Sequence, residues 1–143
     1  MSLFGTLSIA GSGMSAESER LSAIASNVAN ANSAVGGGGQ PYRAREVVFQ
    51  AVSLQGDDGG GGADAAGHAM DGVKVAAVVE SDAPTHSVYD PSNTFADSTG
   101  YVQMPNVNPV DEMVNMISAQ QDYQANLEAF NVAKTLAMRT LSI

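Results

Sequence analysis

The chain has 143 residues, a formal net charge of −9 and a pI near 4.3; its six Lys and Arg are too dispersed to form a basic patch, so repulsion argues against nucleic acid or anionic lipid as partners. The length suits one domain, yet apolar residues gather at the two ends and glycine in the middle, which argues against a single large core. With no cysteine, disulfides and thiolate metal centres are excluded.

Residues 3–31 predict a long amphipathic helix. Apolar side chains fall at Leu3, Leu7, Ala10, Met14, Leu21, Ile24, Val28 and Ala31 in steps of three and four, with only Glu17 breaking the stripe and no proline interrupting it. The helix should close at Asn27, Asn30 and Asn32, because asparagine tolerates the left-handed conformation and Gly36–Gly39 follow. Residues 46–54 (EVVFQAVSL) read as a strand, apolar on both faces and therefore expected to be covered on both. The polar glycine run at 56–64 is expected to form a hairpin tip or insertion.

From Val73 to Glu80 a period-two pattern predicts a second strand, able to pair with the first across that glycine loop. Pro84, Pro91, Asn93, Gly100 and Pro105 exclude a helix between 82 and 105 and predict a turn-rich connector. The last helix starts at Asn108 as N-cap with Pro109 in its first position, and Asp111 and Glu112 suit the positive end of its dipole. Its stripe runs through Val110, Met113, Met116, Tyr123, Leu127, Phe130, Ala137 and Leu141, with Gln120 and Lys134 as polar gaps and Lys134 and Arg139 near its end.

These patterns predict an α+β chain whose long terminal helices pair as a coiled coil around a small β-rich middle. The boundaries are 1–34, 35–105 and 106–143. Val110, Val114, Ile117, Ala125, Val132 and Leu136 lie on neighbouring faces of the last helix. One seam leaves them uncovered, so they need the central sheet or other subunits.

Catalytic and cofactor chemistry find little to stand on. His68 and His86 flank a strand without a carboxylate motif that would make a metal site. Gly36–Gly39 lack the Lys-Ser/Thr ending of a phosphate loop, and the aspartates at 56–64 lack the bidentate glutamate of a calcium loop. No catalytic, metal or cofactor site is predicted. The first basic residue is Arg20 and no run nears roughly 18 apolar residues, so neither a cleavable signal nor a membrane span is expected.

SGMSAESERLSAIASNVANANS at 12–33 and YVQMPNVNPVDEMVNMISAQQDYQANLEAFNVAKTLAMRTLSI at 101–143 resemble the two ends of flagellar basal-body rod proteins, and GQPYRAREVVF at 39–49 adds to the likeness. The residues carrying the resemblance are Asn27, Ala29 and Asn30 near the end of the first helix, Pro105, Asn106, Asn108 and Pro109 before the last, and Tyr123, Ala125 and Asn126 within it. The chain departs from the family at Ser33, where a threonine is usual, and at 90–100, which fits the family's proline-histidine turn only loosely.

The resemblance implies a structural subunit, passed through the flagellar type III export apparatus without a cleavable signal. It implies helical assembly with copies of itself and other rod subunits into a periplasmic drive shaft that carries torque from motor to hook. Subunit-interface residues on the helix seams would then be Leu3, Leu7, Met14, Leu21, Ile24, Val28, Met113, Met116, Ile117, Tyr123, Leu127, Phe130 and Leu141. The alternative, a soluble adaptor or chaperone-like helical binding module, gives no reason for both signatures to sit at opposite ends of one chain.

Overall fold

The computed structural model describes residues 3–35, 39–53 and 71–141. In chain order the elements are α1 (Leu3–Asn30), β1 (Arg45–Ser53), β2 (Asp71–Glu80), β3 (His86–Tyr89), β4 (Tyr101–Met104) and α2 (Pro109–Leu141). This is the expected α+β arrangement, two long terminal helices with a small antiparallel middle. Among the described residues no helix is long and apolar enough to cross a membrane.

The helices pair antiparallel: Asn27 reaches Glu112, Arg20 lies 3.6 Å from Asp122, and Gly13 approaches Asn126. α1 also carries the β1–β2 ribbon, which runs along it from Asn27, bonded to Arg45, to Ser12, whose hydroxyl accepts the Val73 amide at 3.1 Å. Packed on two sides, α1 supplies most of the helical core through Ala10, Ala16, Ala23 and Ile24, with Ala31 buried just beyond its end. Short side chains let its neighbours approach closely. α2 packs on α1 alone among the described elements, so most of its circumference faces outward.

β1 and β2 pair from Arg45↔Glu80 to Ser53↔Asp71, with a bulge between Val48 and Phe49. The pairing is the one the sequence suggests, but β1 is not covered on both faces. Val48, Phe49, Val78 and Val79 are exposed, because a two-stranded ribbon resting on one helix has a second face with nothing over it. The glycine run at 56–64 lies outside the described residues.

α1 does not end on a left-handed asparagine. Among the described residues only Gly100 has a positive φ. Turn bonds close the helix instead, from the Ala31 amide to the Val28 carbonyl and from the Ser33 amide and hydroxyl to the Asn30 carbonyl.

The connector before α2 contains a short hairpin, β3 paired with β4 from His86↔Met104 to Tyr89↔Tyr101. Val35, just beyond α1, bridges to Gln103 on β4, and Val102 and Pro105 are fully buried. Two aspartates shape the loop. Asp90 accepts the Ser92 hydroxyl at 2.6 Å and its amide at 3.2 Å; Asp97 accepts the Thr99 hydroxyl at 2.7 Å and the amides of Thr99 and Tyr101. These bonds, chiefly from the Ser92 and Thr99 hydroxyls, favour the charged carboxylates and hold both pKa values below the ordinary 3.8.

Depressed folded-state values mean that the two turns are favoured above the unfolded carboxylate range and lose that contribution as pH falls through the lower folded values. In an acid titration followed by NMR, the Ser92 and Thr99 amides should therefore move with midpoints below 3.8; midpoints at or above it would contradict the turn geometry. Gly100 has φ +82°, and a Cβ there would lie 2.8 Å from the Tyr89 ring. Replacing it by alanine should weaken the hairpin by about 1–3 kcal/mol, read as faster hydrogen exchange in β3 and β4.

Candidate assembly surface

The start of α2 fixes a carboxylate. Asn108 caps the helix, its Oδ1 accepting the Val110 amide at 3.1 Å and its Nδ2 donating to Asp111 at 2.7 Å. Glu112, in that first turn, points towards the end of α1 and accepts the Asn27 amide at 3.0 Å.

Asn27 is only 2% exposed, and every hydrogen-bonding position of its side chain is filled. Nδ2 donates to Glu112 and, at 2.9 Å, to the Arg45 carbonyl; Oδ1 accepts the Arg45 amide at 2.8 Å and the Tyr42 hydroxyl at 2.9 Å. The Arg45 guanidinium lies 5.8 Å from the centre of the Tyr42 ring. One side chain thereby joins α1, the start of β1 and the first turn of α2.

Asn106 ties the two strands together at one end of the ribbon, before β1 and after β2. It accepts the Ala44 amide at 2.8 Å and donates to the Ala83 carbonyl at 2.9 Å and the Ser81 carbonyl at 3.4 Å. Of the other family-signature positions, Asn30 bonds back to the Ser26 carbonyl, Pro105 is buried, Pro109 is half-buried, and Ala29 and Ala125 are exposed.

Along α2 the side chains turned to α1 are Glu112, Met116, Ala119, Tyr123, Asn126, Phe130, Ala133 and Ala137, alternating steps of four and three. Met116, Tyr123, Phe130 and Ala137 were in the apolar stripe; the intervening seam positions lie one residue before Met113, Gln120, Leu127 and Lys134. Counting only apolar residues skips Glu112, which is turned inward by Asn27, and Asn126, which fits over Gly13. Met113, Ile117 and Leu127 consequently stand exposed, away from the pairing with α1.

On α1, Ile24 is buried and Leu7, Met14, Leu21 and Val28 are half-buried. The side chains of Leu3 and Leu141 lie outside the described residues. Sequence reasoning missed the partners of Asn27, namely Tyr42, Arg45 and Glu112, although Glu112 belongs to the same three-four series as Met116 and Tyr123.

Two apolar groups remain on the outer side of α2. Near its start stand Val110, Met113, Val114 and Ile117, and near its end Val132, Leu136 and Met138, each between 49% and 66% exposed. Antiparallel pairing brings Phe4, exposed in the first turn of α1, to the second group's end of the molecule. His86 is exposed on β3 and His68 lies outside the described residues; among those described, no three His, Asp or Glu side chains group as metal ligands would.

The polar lock and the close helix approach each have a stability consequence. Asn27→Ala strands the Arg45 amide and carbonyl and the inward Glu112, and should cost about 2–4 kcal/mol in denaturant unfolding; a loss below about 0.5 kcal/mol would show the lock to be incidental. A Cβ on Gly13 would sit 2.9 Å from the Asn126 amide nitrogen. Gly13→Leu should therefore cost about 1–3 kcal/mol, whereas alanine, which gains helix propensity and needs only a shift of Asn126, should cost less.

Family comparisons cover both helices. The profile described as flagella basal body rod protein matches residues 7–36, and that described as flagellar basal body rod FlgEFG protein C-terminal matches residues 98–143. The chain is 50% identical to the flagellar basal-body rod protein FlgC of Salmonella typhimurium over all of this chain and 98% of that one. It is 49% identical to FlgC of Escherichia coli O157:H7 over the same shares, and 35% identical to FlgC of Bacillus subtilis over all of this chain and 99% of the relative. With both ends matched and identity running over the full length, the chain belongs to the FlgC family of flagellar basal-body rod proteins.

Proposed function

We propose that this rod subunit works as a member of the periplasmic drive shaft, assembling helically with copies of itself and with other rod subunits to carry torque from motor to hook. The observation that supports this most is the outer side of α2, where apolar side chains face water along both halves of the helix. Burying one valine or leucine is worth about 1.5 kcal/mol or more, and a lone chain has nothing to bury these against. Neighbouring subunits supply that cover.

In this reading residues 1–34 and 106–143 form the inner helical layer and 35–105 a small outer part. Asn27 and Asn106 tie the outer part to the helices, so force applied to one reaches the other without a hinge. The chain travels to its site through the flagellar type III export apparatus.

Removal of residues 138–143 tests the assembly role. It takes away the exposed Met138 and the last turn of α2, outside the seam row that ends at Ala137. The truncated chain should be synthesised at normal levels, be missing from isolated basal bodies and fail to restore swimming to cells lacking the native chain. Basal bodies that contain the truncated chain at wild-type levels would count against the proposal.

A further inference from the structure

We infer that the outer edge of β3 in one copy adds, antiparallel, to the outer edge of β1 in a second copy, so that sheet hydrogen bonds cross the subunit boundary. The inference rests on the assembly role proposed above and specifies one contact within it. The ladder of each hairpin shows which backbone groups are left over. Next to Arg45↔Glu80 the Ser81 amide donates to the Ala44 carbonyl, so Arg45 and Glu80 do not bond each other. The same holds two residues on at Val47↔Val78, which turns the Val47 amide and carbonyl to the outer edge of β1. Arg45 turns the same way, and there Asn27 takes both groups. One turn earlier on α1 stands Ala23, with no polar side-chain atom to offer, and no described residue bonds the outward groups of Val47.

β3 has the complementary edge. Next to Tyr89↔Tyr101 the Asp90 amide donates to the Gly100 carbonyl, so Tyr89 and, two residues earlier, Ser87 present amide and carbonyl outward. All four residues of β3 are exposed, and no lysine or proline guards the edge. Within one chain β1 and β3 do not touch. Antiparallel pairing of Tyr89 with Val47 ends both strands together, because β3 turns away at Asp90 and Asn27 already holds Arg45.

Opposed residues share a face. The pairing therefore carries Tyr89, 63% exposed, to the hollow of about 200 Å³ beside Val47, bounded by Ala23 and Ile24 of α1 and by Glu112 and Asn115 of α2. Small-molecule sites run to roughly 300–1,000 Å³, whereas a cavity of about 150 Å³ holds a benzene ring. Pairing β3 with β3 would close a dimer; unlike edges continue from copy to copy, as helical assembly requires.

Because the chain has no cysteine, disulfide trapping reads the contact directly. Cells lacking the native chain would co-express full-length Val47→Cys and epitope-tagged Tyr89→Cys, and isolated basal bodies would be oxidised and probed for cross-linked species. Bonded antiparallel residues lie about 5.5 Å apart at Cα, within disulfide reach. The expected result is the mixed disulfide and neither homodimer. Should either cysteine keep its chain out of basal bodies, Val47→Pro set against Val47→Ala decides. Both lose side-chain bulk, but only proline removes the outward amide, which the ladder to β2 does not use. Proline should lower the chain's amount in basal bodies about tenfold relative to alanine, while the Glu46 and Val48 amides stay protected from exchange.

A Tyr89→Cys homodimer would overturn the inference in favour of symmetric pairing of β3. Basal bodies that contain both chains without the mixed disulfide, or equal amounts of the proline and alanine variants, would overturn the contact while leaving the rod role intact. The rod role itself falls separately, if the wild-type chain is absent from basal bodies of swimming cells.

Discussion

The organisation of this subunit depends on one buried amide. Asn27 uses two donors and two acceptor positions on two separate stretches of chain, the Tyr42–Arg45 approach to β1 and the first turn of α2. A hydrophobic residue at this position could pack, but it could not specify which carbonyl, amide and carboxylate meet it. Buried polar groups are costly unless satisfied, so the geometry that satisfies all four bonds is strongly selected over near alternatives. The helix pairing, the direction of the ribbon and the inward turn of Glu112 follow from that single requirement.

The remaining packing is economical. α1 is lined with alanine and glycine where it meets its neighbours, and α2 answers with alternating large and small residues, Met116, Tyr123 and Phe130 against Ala119, Ala133 and Ala137. Surface ion pairs such as Arg20 with Glu17 and Asp122 span 3.5 and 3.6 Å between partly exposed side chains and add little beside this. Apolar side chains that the chain does not cover internally lie on the outer side of α2 and also on the ribbon and the hairpin, and family membership places the chain in a rod.

Much of the fold was legible in the sequence because the helices are long and periodic and because Asn108-Pro109 marks the start of α2 without ambiguity. The first two strands were legible too, from the period-two pattern of Val73–Glu80 and the apolar run before the glycine loop, whereas β3 and β4 fell inside a segment read only as a turn-rich connector. The assembly surface was less so. A stripe defined by hydrophobicity slides by one residue where the seam holds a polar side chain, as α2 does at Glu112 and Asn126, and the slip then carries past the small seam residues Ala119 and Ala133. Both are inward for reasons that lie on the other helix, an amide at Asn27 and a missing side chain at Gly13. The end of α1 shows the same limit: its asparagines suggested a left-handed cap, whereas Asn27 serves a tertiary bond eighty-five residues away and Ser33 helps close the turn.

That separation has a kinetic side. Asn27 and Glu112 are 85 positions apart, so α1 leaves the ribosome long before its lock can close. At typical synthesis speeds of about 5–20 residues per second, roughly 4–17 seconds pass between the two. Throughout that interval the first helix lacks its partner helix, and until Glu80 has been added it lacks its complete ribbon as well; a lone amphipathic helix is marginal in water. The native arrangement can form only once the C-terminal helix exists, which makes folding a late, all-at-once event for this chain and leaves the nascent polypeptide accessible to whatever handles it before then.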